Sequence, residues 1–129
     1  MTQDHDTPAR KRDHVEINLR HDVAGAQSNG LERYAFVPEA LPELDLAAVS
    51  TTTSWLGRTL RSPILISSMT GGAASVTALN RRLAAAAQAC GVAMGVGSQR
   101  AALEAPALAA TFQVRGVAPD IVLLANLGA

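Results

Sequence analysis

Cysteine, lysine and aromatic side chains are scarce in this chain, and each scarcity excludes something. A single cysteine, Cys90, among 129 residues excludes an intrachain disulfide framework and a multi-cysteine zinc site. Aromatics make up 3% of the residues, too few for a platform that stacks nucleic-acid bases. Eleven basic residues, of which only Lys11 is lysine, are balanced by eleven acidic ones to a net charge of zero. That balance argues against a nucleic-acid surface built on bulk charge. No apolar run reaches the roughly 18 residues a membrane-spanning helix needs. The first 22 residues carry no apolar stretch of the kind a secretory signal requires, so the expected compartment is the cytoplasm.

What the chain has instead is small aliphatics. Alanine fills 25 positions and hydrophobic residues make up 48% of the total, a composition that suits helices packed closely on a sheet. The length allows one domain at most, since domains commonly run to roughly 100–200 residues.

Three regions follow one another. Residues 1–33 read as a polar arm of mixed charge holding all three histidines, His5, His14 and His21. Its first eight or so residues are expected to be disordered. Residues 34–62 connect; their β-branched run around Gly57 predicts a short hairpin turning near Leu56–Arg58.

Residues 63–129 alternate. Ile64–Ile66 predicts a buried strand, and Ser75 is the expected N-cap of a helix over Val76–Cys90. Val76, Leu79, Leu83, Ala87 and Cys90 share its predicted core face, with Asn80, Arg81 and Gln88 elsewhere and Cys90 buried. Gly91 ends that helix and Val92–Val96 forms a second strand. Pro106 suits the first turn of a second helix carrying Leu108, Phe112 and Arg115 and closed by Gly116. Asp120–Ala125 is the third strand. The βαβαβ order predicts parallel strands joined by right-handed crossovers.

Each predicted strand runs into a polar, glycine-bearing cluster: SSMTGG, GSQR and NLGA. Ligands of α/β folds bind at the carboxyl ends of parallel strands, so the three clusters describe one rim. Ser67, Ser68, Thr70, Ser98, Gln99 and Asn126 are its candidate ligand contacts, and the glycines at 71, 72 and 97 would let backbone approach a ligand closely. Arg100 is either an anion ligand or the surface partner of Glu104, four residues on. Arg10, Lys11 and His14 belong either to a solvated terminal segment or to an arm that folds over the rim and brings cations to a phosphate. GVGSQR lacks the third glycine of a dinucleotide fingerprint, and no metalloprotease, nucleophile-elbow or Walker A motif is present. No general acid–base pair stands near the rim, so chemistry there calls for a cofactor or for residues outside this chain.

RKRDHVEI near the start, PILISSMTGG, GVGSQR and the closing NLGA, in that order from about Arg10 to Ala129, resemble the type 2 isopentenyl-diphosphate isomerase family. The resemblance implies a TIM-type (β/α)8 barrel that binds FMN, uses Mg2+ on a diphosphate and takes reducing equivalents from NADPH. The implied reaction interconverts isopentenyl and dimethylallyl diphosphate, with reduced flavin carrying the proton transfer and no catalytic side chain in this chain. By position, Ser68, Met69, Thr70, Ser98 and Asn126 match FMN contacts. Arg10, Lys11, His14, Ser98, Gln99 and Arg100 match substrate contacts. The resemblance also implies a homo-oligomer for the intact protein.

A (β/α)8 barrel commonly takes about 250 residues. The chain is therefore expected to supply the N-terminal arm, the hairpin and the first three strands with two helices of such a barrel. It would lack the family's Mg2+-binding glutamate, be inactive alone, and be poorly stable or prone to aggregate. Two alternatives remain at this point. One is a noncatalytic remnant or a fragment that needs a complementing chain. The other is a different FMN-dependent barrel, such as a 2-hydroxy-acid oxidase.

Overall fold

The computed structural model describes residues 7–127. The expectation of disorder in the first eight residues falls mostly outside that range. Helix α1, Thr7–Arg20, opens it, and this helix was not anticipated from the sequence. Its residues are exposed or at most half-buried where side chains are described, so no apolar stripe announces it. Two polar contacts lie within the helix: Arg20 pairs with Glu16 at 2.9 Å, and Asn18 Nδ2 donates to the His14 carbonyl at 2.7 Å. Residues 31–50 then run exposed, with two short 3-10 turns at Leu31–Arg33 and Leu46–Ala48.

Strands β1 (Thr53–Trp55) and β2 (Arg58–Leu60) pair antiparallel, with Trp55 opposite Arg58. Leu56 and Gly57 form the turn, both at positive φ (49° and 72°), the backbone of a two-residue hairpin loop. Strand β3 is Leu65–Ile66, β4 is Ala93–Ser98 and β5 is Leu123–Asn126. They form a separate parallel sheet in the order β3-β4-β5. Among the described residues the sheet does not close into a barrel: β4 is central, and β3 and β5 are edges.

Helix α2, Thr77–Cys90, joins β3 to β4 and ends where Gly91 turns left-handed. Two expectations about it fail. Ser75 does not cap it: Ala74–Val76 form a 3-10 turn that leads into the helix, and the N-cap position, Val76, makes no side-chain cap hydrogen bond. The buried face is also rotated. It keeps Val76, Ala87 and, in part, Leu83 of the predicted face and adds Asn80 and Ala84, while Leu79 is 37% exposed and Cys90 is exposed rather than buried. Alanine directly over the strands lets the helix sit close to the sheet, and the larger leucines are displaced to its flanks. Around this seam Met94, Val96, Phe112, Val114 and Ile121 complete the core.

The second crossover is not one helix. A short α3, Arg100–Glu104, gives way to a 3-10 segment over Pro106–Phe112. Proline lacks the N–H that would continue α3 and restricts the residue before it, and Ala105 is extended there. Arg115 and Gly116 lie beyond the end of that segment rather than on it. Arg115 serves the loop before β5: its Nη1 donates to the carbonyls of Pro119 at 3.1 Å and Ile121 at 2.8 Å. On the other side of that loop Gln88 and Asp120 exchange two hydrogen bonds, at 3.1 and 3.0 Å, fastening α2 to the start of the β5 segment. Replacing Arg115 with alanine frees the carbonyls of Pro119 and Ile121 and is expected to lower stability by about 1–2 kcal/mol. A urea midpoint unchanged from the parent chain would show that this arginine fastens nothing.

Candidate functional site

The carboxyl ends of β3, β4 and β5 are knitted by backbone hydrogen bonds beyond the ladder itself. Gly97 N donates to the Thr70 carbonyl at 2.8 Å, and Gln99 N donates to the Asn126 carbonyl at 2.9 Å. The β4–β5 register shifts between Val96 and Ser98, an irregularity of the sort that re-aims a side chain at a sheet end. Thr70, Ser98 with Gln99, and Asn126 therefore stand on three adjacent strand ends, as one rim.

Two glycines of β4 make that rim possible, through chain-to-chain contact. A Cβ on Gly97 would lie 2.7 Å from the Thr70 carbonyl oxygen, and one on Gly95 would collide with the Ser68 hydroxyl. The segment leaving β3 thus crosses directly over β4. This corrects the expectation that glycines 71 and 97 leave room for a ligand. The room at Gly97 is filled by Thr70, and that at Gly71 by the Phe112 ring.

The rim's polar groups differ in what they still have to offer. The Ser68 and Asn126 side chains have no hydrogen-bond partner among the described residues. Ser98 Oγ accepts from Arg100 N at 3.4 Å, so its hydroxyl hydrogen is uncommitted. Gln99 Nε2 donates to the Gly97 carbonyl at 2.9 Å. The Thr70 hydroxyl donates to Asn80 Oδ1. Met69 is exposed at the same loop, with 54% of its surface open. A hydroxyl pair with a carboxamide gives donors and acceptors side by side, which suits the edge of a flat heteroaromatic ring bearing both.

Arg100 sits on α3 next to the rim and pairs with Glu104, Nε to Oε1 at 3.5 Å, with side chains 70% and 53% exposed. The candidate cations of the arm are carried by helix α1. Arg10 and His14, one turn apart on α1 and so on one face, are exposed, and their side chains have no hydrogen-bond or ion-pair partner among the described residues. The Lys11 side chain lies outside the described set. Glu32 is held below the usual carboxylate range, mainly by the Ser28 hydroxyl that donates to it, but it belongs to the exposed segment before the hairpin. Among the described residues no group of three or more His, Cys, Asp and Glu side chains is placed to hold a metal ion. No helix described is long and apolar enough to cross a membrane.

Sequence patterning missed Asn80 and Thr111. Both are buried under the rim, 0% and 5% exposed. Their significance rests on a contact 31 residues apart in the chain, which periodicity does not reveal.

Comparison with known proteins bears out the resemblance seen in the motifs. The chain is 54% identical over 120 residues to the isopentenyl-diphosphate delta-isomerase of Rickettsia bellii (strain RML369-C). It is 52% identical over 120 residues to the proteins of the same name from Rickettsia felis and Rickettsia prowazekii (strain Madrid E). Each match takes in 93% of this chain and 35% of the relative, so the chain spans about a third of the length of these proteins. The family profile described as FMN-dependent dehydrogenase matches residues 7–115; with that match covering most of its length, the chain belongs to the FMN-dependent dehydrogenase family.

Proposed function

We propose that this chain is the flavin-binding and substrate-binding N-terminal part of an isopentenyl-diphosphate delta-isomerase of the FMN-dependent type. In this reading β3, β4 and β5 are the first three strands of a (β/α)8 barrel, and residues 1–62 are an arm and a hairpin that precede it. The observation that carries the reading is the rim, where three adjacent parallel strand ends hold Ser68, Ser98 and Asn126 with uncommitted polar groups. The 52–54% identity to proteins bearing that name supports it.

The residues at the rim fit FMN. Ser68, Thr70, Ser98 and Asn126 would face the edge of its ring, with Met69 against the ring as a soft apolar contact. Reduced FMN supplies the proton transfer when bound, and no side chain of this chain is assigned that step.

The chain's own residues bind and orient the diphosphate. Arg10, Lys11 and His14 form one half of the anion site, which requires α1 to fold over the rim. Ser98, Gln99 and Arg100 form the other. The exposed Arg100–Glu104 pair is worth no more than about 1 kcal/mol, so a diphosphate, which an arginine can grip bidentately, displaces it readily. Mg2+ would neutralise the diphosphate through its preference for oxygen ligands, and NADPH would keep the flavin reduced. The setting we propose is a cytoplasmic homo-oligomer of the intact protein, acting in isoprenoid biosynthesis.

The test is to complement the chain with the remaining two-thirds carried by its relatives and to ask for a yellow protein that isomerises isopentenyl diphosphate. Arg100→Ala in that assembly should raise the substrate KM by about tenfold or more and leave flavin retention alone. Asn126→Ala should do the reverse. A colourless assembly would count against the reading, as would equal losses in both variants or oxidation of 2-hydroxy acids.

A further inference from the structure

We propose that Asn80 is a positioning residue for the rim: with Thr111 it fixes the β3–α2 loop and dictates that Thr70 meets a ligand as a hydrogen-bond acceptor only. The ligand half of this statement rests on the flavin-site reading above. The positioning half stands on the geometry alone.

Asn80 is completely buried on α2, 0% exposed. A carboxamide so placed is stable only if its dipole is matched. Its Oδ1 accepts the Thr70 hydroxyl, and its Nδ2 donates to the Thr111 carbonyl at 2.9 Å. Thr111 in turn accepts the Gly72 N–H on its Oγ1 at 2.9 Å and gives its own hydroxyl hydrogen to the Leu108 carbonyl at 2.6 Å. The loop between β3 and α2 is therefore hung from two buried points, Thr70 on Asn80 and Gly72 on Thr111. On its other side the Thr70 carbonyl receives Gly97 N. Thr70 is held by its hydroxyl to the helix and by its backbone to the central strand.

The consequence for recognition follows from valence. A threonine hydroxyl has one hydrogen and two lone pairs. The hydrogen is committed to Asn80, so what remains for the rim is a lone pair. A ligand group facing Thr70 must present an N–H or O–H there, and a carbonyl or phosphate oxygen is disfavoured. Ser68 and Ser98, whose hydrogens are uncommitted, complement this by donating.

The experiment reads amide hydrogen exchange in the full chain, comparing the amides of Gly72 and Gly97 with that of Met94, which donates to Val122 within the core. Asn80→Ala and Thr70→Val should each speed exchange at Gly72 and Gly97 by on the order of tenfold relative to Met94, the loss of about one hydrogen bond. Thr70→Ser, which keeps the hydroxyl, should stay close to the parent. If all three amides accelerate together, Asn80 is merely a stability residue and the proposal falls. It falls equally if Thr70→Val leaves both rim amides unchanged. Thr70→Val removes a single hydroxyl at nearly constant volume and keeps the question answerable should Asn80→Ala unfold. FMN titration of the complemented protein adds the ligand arm, with Asn80→Ala expected to weaken binding by about tenfold. Failure of the parent assembly to bind FMN would sink the flavin reading and the acceptor assignment, while the exchange data would still decide the positioning role.

Discussion

Gly71→Ala is expected to cost this chain at least about 3 kcal/mol of stability, enough to unfold much of it, because strain and steric conflict act together at that position. Gly71 has φ +131°, a conformation L side chains rarely adopt, and a Cβ there would collide with Cε1 of the Phe112 ring. The ring cannot withdraw easily, since Phe112 is 7% exposed and part of the same core cluster as Met94 and Val114. Two other glycines calibrate the effect. Gly57 has φ +72° but open space around it, so alanine there carries only the left-handed penalty of roughly 1–2 kcal/mol. Gly116 has neither a positive φ nor a neighbour within 4 Å, and its alanine variant should lie within about 0.5 kcal/mol of the parent. Urea denaturation of dilute protein would rank the three. A Gly71→Ala midpoint no lower than that of Gly57→Ala would mean that Phe112 does not hold the position the structure gives it.

How much of this was legible beforehand depended on whether the deciding contact was local. The hairpin turn at Leu56–Gly57, the helix end at Gly91 and the parallel order β3-β4-β5 were written in short-range signals: turn residues, a left-handed stop, and apolar runs separated by helix-length segments. The rim was legible for the same reason, because polar and glycine clusters recur at each strand's end. Where the structure departed, tertiary packing had decided. Leucine outranks alanine in hydrophobicity, so the core face of α2 was drawn through Leu79 and Leu83. The sheet's demand for close approach also buried Ala84, and with it Asn80, beside the expected Ala87. Cys90 rotated outward with that shift. Helix α1 was invisible because its sequence has no apolar stripe to betray a helix. The glycines at 71 and 97 were correctly sensed as sites of close approach, but what approaches is the chain's own Phe112 and Thr70.

The isolated chain is expected to self-associate, and the association should pass through the free edges of its parallel sheet. Strands β3 and β5 each pair on one side only, leaving unpaired N–H and C=O groups that template further pairing. Apolar side chains accompany them. Beside β3, Ile64 is 56% and Leu65 43% exposed, and Trp55 of the hairpin, 38% exposed, lines the same groove of about 320 Å³. At the far edge Leu127 follows β5 at 73% exposure. Contiguous apolar surface beside an open strand edge is an association site by its own physics. Leu65→Lys places a charge on the β3 edge at a position solvent already reaches, and should weaken association by about tenfold, or roughly 1.4 kcal/mol. Leu103→Lys is the control: Leu103 is 79% exposed but lies on helix α3 rather than on an edge strand, and the substitution should change nothing. Sedimentation across a concentration series distinguishes the two. A parent chain that stays monomeric and unfolds cooperatively and reversibly would overturn the argument. Equal relief by both lysines would shift the cause from the strand edge to general surface hydrophobicity.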